Sequence, residues 1–326
     1  MNKNSLLQIK DLYVKFSNGI DDVFAVNGIN LDVKQGEILG IVGESGCGKS
    51  VSLFSILRLL PQSAKIRGEI IYKGKNLVES TPKELQDIRG KEISMIFQEP
   101  MSSLNPVLTI QEQLIETIVR HNKIGRKEAK NRALQMLEMV EIPNADRRLK
   151  AYPYQLSGGM RQRVMIAMAL SCRPHILLAD EPTTALDVTI QSQIIALLKR
   201  FNEEDKMSIV IVSHDIGVIS DIASRVLVFY AGKIIEEANT SELLNNAQHP
   251  YAKGLLSCIP SINTSGDRLY VIKGMVADIT KEIQGCPFYP RCEHARPICE
   301  QITPVLEEVS ENHKVACHLV KRKENV

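Results

Sequence analysis

The sequence predicts an α/β fold built on a largely parallel sheet, and three observations carry that prediction. Short β-branched runs recur through the first 240 residues, most of them continuous rather than alternating, as in strands buried on both faces. A glycine-rich turn lies between one such run and an apolar, helix-like stretch. A long segment with helical patterning then separates two of the runs.

The run "EILGIVG" leads into "GESGCGKS", Gly43 to Ser50, and "VSLFSILRLL" follows. This is GxxxxGK[ST] in the strand–turn–helix setting that gives the pattern meaning. Gly43, Gly46 and Gly48 let the chain curl, so that successive backbone N–H groups meet phosphate oxygens at a helix N-terminus. Ser45, Cys47 and Val51 belong to the same curl. Lys49 is expected at the β- and γ-phosphates and Ser50 on Mg²⁺. The Cys47 thiol, at a helix N-terminus, is expected to ionise more readily than a free one and to be alkylated unless ATP protects it.

"ISMIFQ" predicts the next buried strand. In "KEAKNRALQMLEMVEI" beyond it, Ala133, Leu134, Leu137 and Val140 form an apolar stripe near the helical period, which predicts an inserted helical subdomain. "HILLADEP" is a strand ending in two carboxylates: Asp180 is expected to hold Mg²⁺ through water and Glu181 to polarise an attacking water. "SIVIVSHD" ends in His214, placed to touch a γ-phosphate, and "RVLVFYAGKIIEE" closes the series. After about residue 245, prolines 250, 260, 287, 290, 297 and 304 interrupt short apolar pieces and predict a loop-rich tail.

A net charge of +2 leaves no overall electrostatic footprint for nucleic acid or an anionic membrane. No apolar stretch approaches the roughly 18 residues a membrane span requires, which predicts a soluble, cytosolic chain. In a reducing compartment, Cys286, Cys292, Cys299 and Cys317 read as one metal or cluster site. A proline-rich tail with little core of its own needs such a staple. The spacing C-x5-C-x6-C-x17-C is wide for zinc, which favours close pairs, and suits a cubane cluster held from separated loops. Zinc and unliganded thiols stay open as alternatives.

"YQLSGGMRQRVMIAMAL" at 154 to 170, with "IFQEP" and "TTALD", makes residues 5–245 resemble the nucleotide-binding subunit of an ATP-binding-cassette (ABC) transporter. The resemblance implies a P-loop NTPase cassette with a RecA-like core, an antiparallel β subdomain and an inserted α-helical subdomain at about residues 100–170. It also implies two cassettes sandwiching two ATP molecules, with Ser157, Gly158 and Gly159 at a helix tip facing the partner's γ-phosphate. Gln98 is implied as a sensor of Mg²⁺ and the attacking water, Asp187 as part of a loop crossing the dimer, His214 as a switch, and Phe16, with Tyr13 as the alternative, as the adenine platform. Met160 stands where the commonest cassettes carry Gln, which points to a particular subfamily.

"IFQEPMSSLNPVLTI" and "HPYAKGLLSCIP" resemble the ATPase subunits of oligopeptide, dipeptide and nickel importers, with an extension over residues 246–326 and a cysteine segment over 286–317. The resemblance implies a related ATPase subunit as heterodimer partner (a homodimer in isolation), two membrane permeases and an extracytoplasmic peptide-binding protein. It places the chain on the cytoplasmic side of the membrane. It also implies a four-iron four-sulfur cluster, which some members carry. A nickel importer subunit is the alternative, and a soluble ATPase acting on nucleic acid or ribosomes a more distant one.

Overall fold

The computed structural model describes residues 5–17, 22–99, 103–184, 186–258, 272–280 and 283–320. The strands are β1 (Ser5–Ser17), β2 (Asp22–Lys34), β3 (Ile38–Val42), β4 (Ala64–Tyr72), β5 (Lys75–Asn76) and β6 (Ile93–Ile96). They continue with β7 (Ile176–Asp180), β8 (Ser208–Ser213), β9 (Arg225–Tyr230), β10 (Lys233–Asn239), β11 (Glu307–Ser310) and β12 (His313–Val315). The helices are α1 (Lys49–Ile56), α2 (Pro82–Ile88), α3 (Ile110–Asn122), α4 (Arg126–Met139), α5 (Ala145–Leu149) and α6 (Gly158–Leu170). After them come α7 (Val188–Asp205), α8 (Ile216–Ile222), α9 (Thr240–Asn246), α10 (Pro250–Ser257) and α11 (Pro297–Gln301).

The chain forms two compact units, one of Met1–Lys34, Ile38–Glu79 and Val212–Val326, the other of Gln35–Glu37 and Ser80–Ile211. In the first unit, β1 pairs antiparallel with both β2 and β4 in a sheet of order β2-β1-β4-β5. A second sheet there runs β11-β12-β10-β9-β3, in which β3 and β9 are parallel with Leu39 opposite Arg225 and Val42 opposite Val228. Every residue of β3 and β9 is buried, which is why both runs are apolar without alternation.

The second unit carries the order β8-β7-β6, with β6 and β7 parallel. Two of its helices begin at capping boxes: Thr81 and Thr109 each accept from the N–H three residues on, while Glu84 and Glu112 reach back to the cap. Along α4, Ala129, Ala133, Met136 and Leu137 are buried, with Leu134 half-buried at their flank. Among the described residues no helix is long and apolar enough to cross a membrane.

Residues 100–102, 185 and 259–260, which interrupt the "IFQEP", "TTALD" and "HPYAKGLLSCIP" stretches, lie outside the described residues.

Candidate nucleotide-binding and catalytic site

In the first unit the loop after β3 turns through Gly43 (φ 154°), Gly46 (78°) and Gly48 (102°) into α1. Two of these glycines are required by close approach as well as by backbone angle. A Cβ on Gly43 would lie 2.4 Å from the Phe229 carbonyl oxygen, and one on Gly48 2.3 Å from that of Ala25. The chain is thereby pressed against β9 and β2, leaving Ser45 and Gly46 exposed at the tip.

Lys49 is 5 % exposed and donates to the carbonyls of Gly43 at 2.7 Å and Glu44 at 2.9 Å. Its ammonium is thus held at the mouth of the loop. Ser50 and Val51 follow in the first turn of α1, both half-buried.

Cys47 departs from expectation. Its thiol is 1 % exposed, with the Lys49 ammonium 3.7 Å away. Burial pushes its pKa up, outweighing the lowering by Lys49 and by nearby hydrogen bonds. A helix N-terminus activates a thiol only where water and reagent also reach it, and here they do not.

Also in this unit, His214 is exposed directly after β8, and Asp215 caps α8 through the Gly217 N–H at 2.8 Å. Phe16 lies on β1 opposite Val23 and Ala64. Tyr13 has its ring engaged: Arg67 stands 5.8 Å over it, and its hydroxyl occupies the space a Cβ on Gly28 would need.

In the second unit Asp180 ends β7, 1 % exposed, and Glu181 follows at φ 46°, a left-handed angle unfavourable for a residue with a side chain. Two donors hold its carboxylate: Gln98 Nε2 at 3.0 Å and Thr184 Oγ1 at 2.8 Å, both to Oε2. Gln98 and Glu181, 83 positions apart in sequence, are therefore brought together. Thr184 lies within "TTALD" but was given no role of its own there, although its place three residues after Glu181 offered a further signal.

Ser157 is the N-cap of α6, accepting from the Met160 N–H at 3.3 Å, so Gly158 and Gly159 open the helix as the motif implied. A Cβ on Gly158 would meet nothing within 4 Å, whereas one on Gly159 would touch Ile190 and Leu186. Internal packing gives no reason for glycine at 158. Asp187 caps α7 through the Ile190 N–H at 2.9 Å, beside that helix tip.

In the first unit, Cys299 is buried and Cys286, Cys292 and Cys317 are half-buried. The Cys286 N–H donates to the Cys299 carbonyl at 2.7 Å. Burial, followed by the proximity of Cys299, Cys317 and Cys292, pushes the Cys286 thiol up to about 11. Among the described residues, however, no group of three or more His, Cys, Asp or Glu side chains is compact enough to hold a metal ion. The expectation of a metal-binding group is not met in that form.

Residues 26–184 match the family model described as ABC transporter, and residues 235–299 match that of the oligopeptide/dipeptide transporter C-terminal region. The chain is 46 % identical to the dipeptide transport ATP-binding protein DppD of Bacillus subtilis, over 96 % of this chain and 94 % of that one. It is 44 % identical to the oligopeptide transport ATP-binding protein OppD of Escherichia coli, over 96 % and 93 %. The dimeric structure of MJ0796, a bacterial ABC transporter cassette, aligns at 34 % identity with a TM-score of 0.66, over 72 % of this chain and 98 % of that one. The loop geometry, the held carboxylate and these likenesses over nearly the whole length agree: the chain belongs to the ABC transporter ATP-binding subunits, in the group that carries the oligopeptide/dipeptide transporter C-terminal region.

Proposed function

We propose that the chain hydrolyses ATP to power a peptide importer, bound from the cytoplasmic side to membrane permeases. The observation that carries this function is the Glu181 carboxylate, held by Gln98 and Thr184 at a strand end in a chain whose glycine loop is shaped for a polyphosphate. The roles of the relatives, dipeptide and oligopeptide transport, favour peptides over nickel as cargo. Nothing observed favours a nucleic-acid or ribosomal role.

The buried Lys49 ammonium would exchange its carbonyl partners for phosphate oxygens, with Gly43, Ser45, Gly46, Cys47, Gly48 and Val51 supplying the backbone cradle. Ser50, Asp180 and Gln98 would hold Mg²⁺, which when bound neutralises charge developing on the phosphates. Glu181 would take the proton of the attacking water, oriented by Gln98 and Thr184. His214 would touch the γ-phosphate and Phe16 the adenine, with Tyr13 as the alternative platform.

The open space over Gly158 supports a tip made for a second ATPase subunit's nucleotide, with Ser157 and Gly159 beside it and Asp187 crossing the dimer. The physiological partner is a related subunit, with homodimers forming in isolation. Two permeases and an extracytoplasmic peptide-binding protein complete the assembly.

At Cys286, Cys292, Cys299 and Cys317 the donor set fits a four-iron four-sulfur cluster better than one zinc ion. The wide C-x5-C-x6-C-x17-C spacing supports the cluster, since zinc favours close pairs. Iron and sulfide analysis of anaerobically purified protein tests this, and stoichiometric zinc in colourless protein overturns it. For the ATPase itself, Lys49→Ala should abolish Mg-ATP retention and turnover, and co-expressed permeases should co-purify with the wild type. Unchanged turnover in Lys49→Ala overturns the function.

A further inference from the structure

The loop's second residue, Glu44, is gripped from far away in sequence, and both grips come from the C-terminal extension. Its N–H donates to Tyr251 Oη at 2.9 Å, from α10. Its carboxylate receives Arg291 Nη1 at 2.7 Å and Nη2 at 3.0 Å, a bidentate pair across 247 positions. Arg291 lies in the one-turn 3₁₀ helix Tyr289–Arg291, one residue before Cys292 and five after Cys286.

The guanidinium is fixed from every side. Its side chain is 4 % exposed, Nε donates to the Lys273 carbonyl at 3.0 Å, and Nη2 also donates to that of Ile272 at 3.2 Å. Nη1 reaches Tyr230 Oη at 3.3 Å. The rings of Tyr230 and Phe288 each lie 5.8 Å from it, and Phe288 packs edge-on against Tyr230 at 5.3 Å and tilted against Tyr251 at 5.5 Å. So many partners for one side chain make a rigid arm.

The charge arithmetic explains what the arm is for. An unpaired carboxylate on a loop that receives a polyanion repels it, and a guanidinium committed to that carboxylate removes the repulsion while fixing where it points. We infer that Arg291, with Tyr251 on the main chain, is a positioning residue for ATP binding: it neutralises and orients Glu44, and so makes the nucleotide loop depend on the folded cysteine segment. This rests on the ATP-binding function above and adds to it a residue that no phosphate-loop motif contains.

The test is ATP turnover by the purified full-length chain as a function of Mg-ATP, in four proteins: wild type, Arg291→Ala, Glu44→Gln and the double variant. Arg291→Ala should raise KM about tenfold and leave kcat within about twofold, because the contact acts on binding rather than on the attacking water. Glu44→Gln should suppress that rise, bringing the double variant to within about threefold of Glu44→Gln alone, since no charge remains to neutralise. A merely structural role would raise KM equally with and without Glu44→Gln. That outcome, or an unchanged KM in Arg291→Ala, overturns the inference. Should Arg291→Ala fail to fold, Arg291→Lys retains the charge without the fork. Alone it should give an intermediate KM, and combined with Glu44→Gln it should give none of that rise; equal rises in both cases overturn the inference. Failure of the wild type to bind Mg-ATP would instead strike at the ATPase function.

Discussion

At the scale of single residues, the catalytic proposal turns on Glu181, whose left-handed backbone and two fixed donors leave its carboxylate one direction to face. Glu181→Gln keeps the shape and removes the proton acceptor. Turnover should fall about 10²- to 10⁴-fold while bound nucleotide is retained, measured by phosphate release and by filter binding. Thr184→Val removes one orienting donor and should cost about tenfold in kcat, the worth of one hydrogen bond to a charged group. Cys47 shows how a motif misleads: its position predicts an activated thiol, but the curl that makes the phosphate cradle also turns the sulfur inward to 1 % exposure. Iodoacetamide should therefore modify Cys47 on the order of a hundredfold more slowly than the exposed Cys258, with or without ATP, and the difference should vanish in denaturant, as read by peptide mass spectrometry.

At the scale of elements, α6 separates what a helix needs from what a partner needs. Ser157 caps it, so Ser157→Ala should lower stability by about 1 kcal/mol whatever the serine does for a second subunit. Gly158 has no such internal duty, because a methyl there meets open space. Gly158→Ala should leave the monomer's stability unchanged or raise it by up to about 1 kcal/mol, since alanine loses less freedom in a helix than glycine. Dimerisation driven by ATP, followed by sedimentation in the Glu181→Gln background, should weaken at least about tenfold if the space receives a partner's phosphate; undiminished dimerisation would remove that role. The start of α6 was legible through the resemblance, which set Ser157, Gly158 and Gly159 at a helix tip. β3, β7, β8 and β9 were legible because burial on both faces leaves continuous apolar runs. β1 and β2 were not, since half-buried faces, register shifts and Gly28 break the pattern a strand would otherwise show.

At the scale of the whole molecule, what sequence reading missed is what spans long separations. Motif spacing gathers the phosphate loop, and cysteine spacing groups the four thiols, but nothing near Glu44 announces Arg291, and nothing near Glu236 announces His313. Glu236, fully buried, accepts from the N–H groups of Gln248 at 2.7 Å and His249 at 2.8 Å and pairs with His313 Nε2 at 2.7 Å, fastening the start of the extension and its terminal hairpin to β10. His249 itself is 1 % exposed, and its Nδ1 accepts from the Tyr251 N–H at 3.0 Å, so the ring proton is on Nε2, which has no partner among the described residues. Burial lowers its pKa from 6.5 to about 3. The folded chain therefore refuses a proton that the unfolded chain accepts. Stability from this group is complete above the unfolded value and is lost as pH falls from about 6.5 towards 3, at up to about 1.4 kcal/mol per pH unit. Between pH 6.5 and 5 the loss should approach about 2 kcal/mol, measured by urea unfolding followed through circular dichroism, the chain having no tryptophan. His249→Gln cannot titrate, and its stability should fall correspondingly less over that interval. Parallel slopes for the two proteins would assign the acid sensitivity to the paired carboxylates instead.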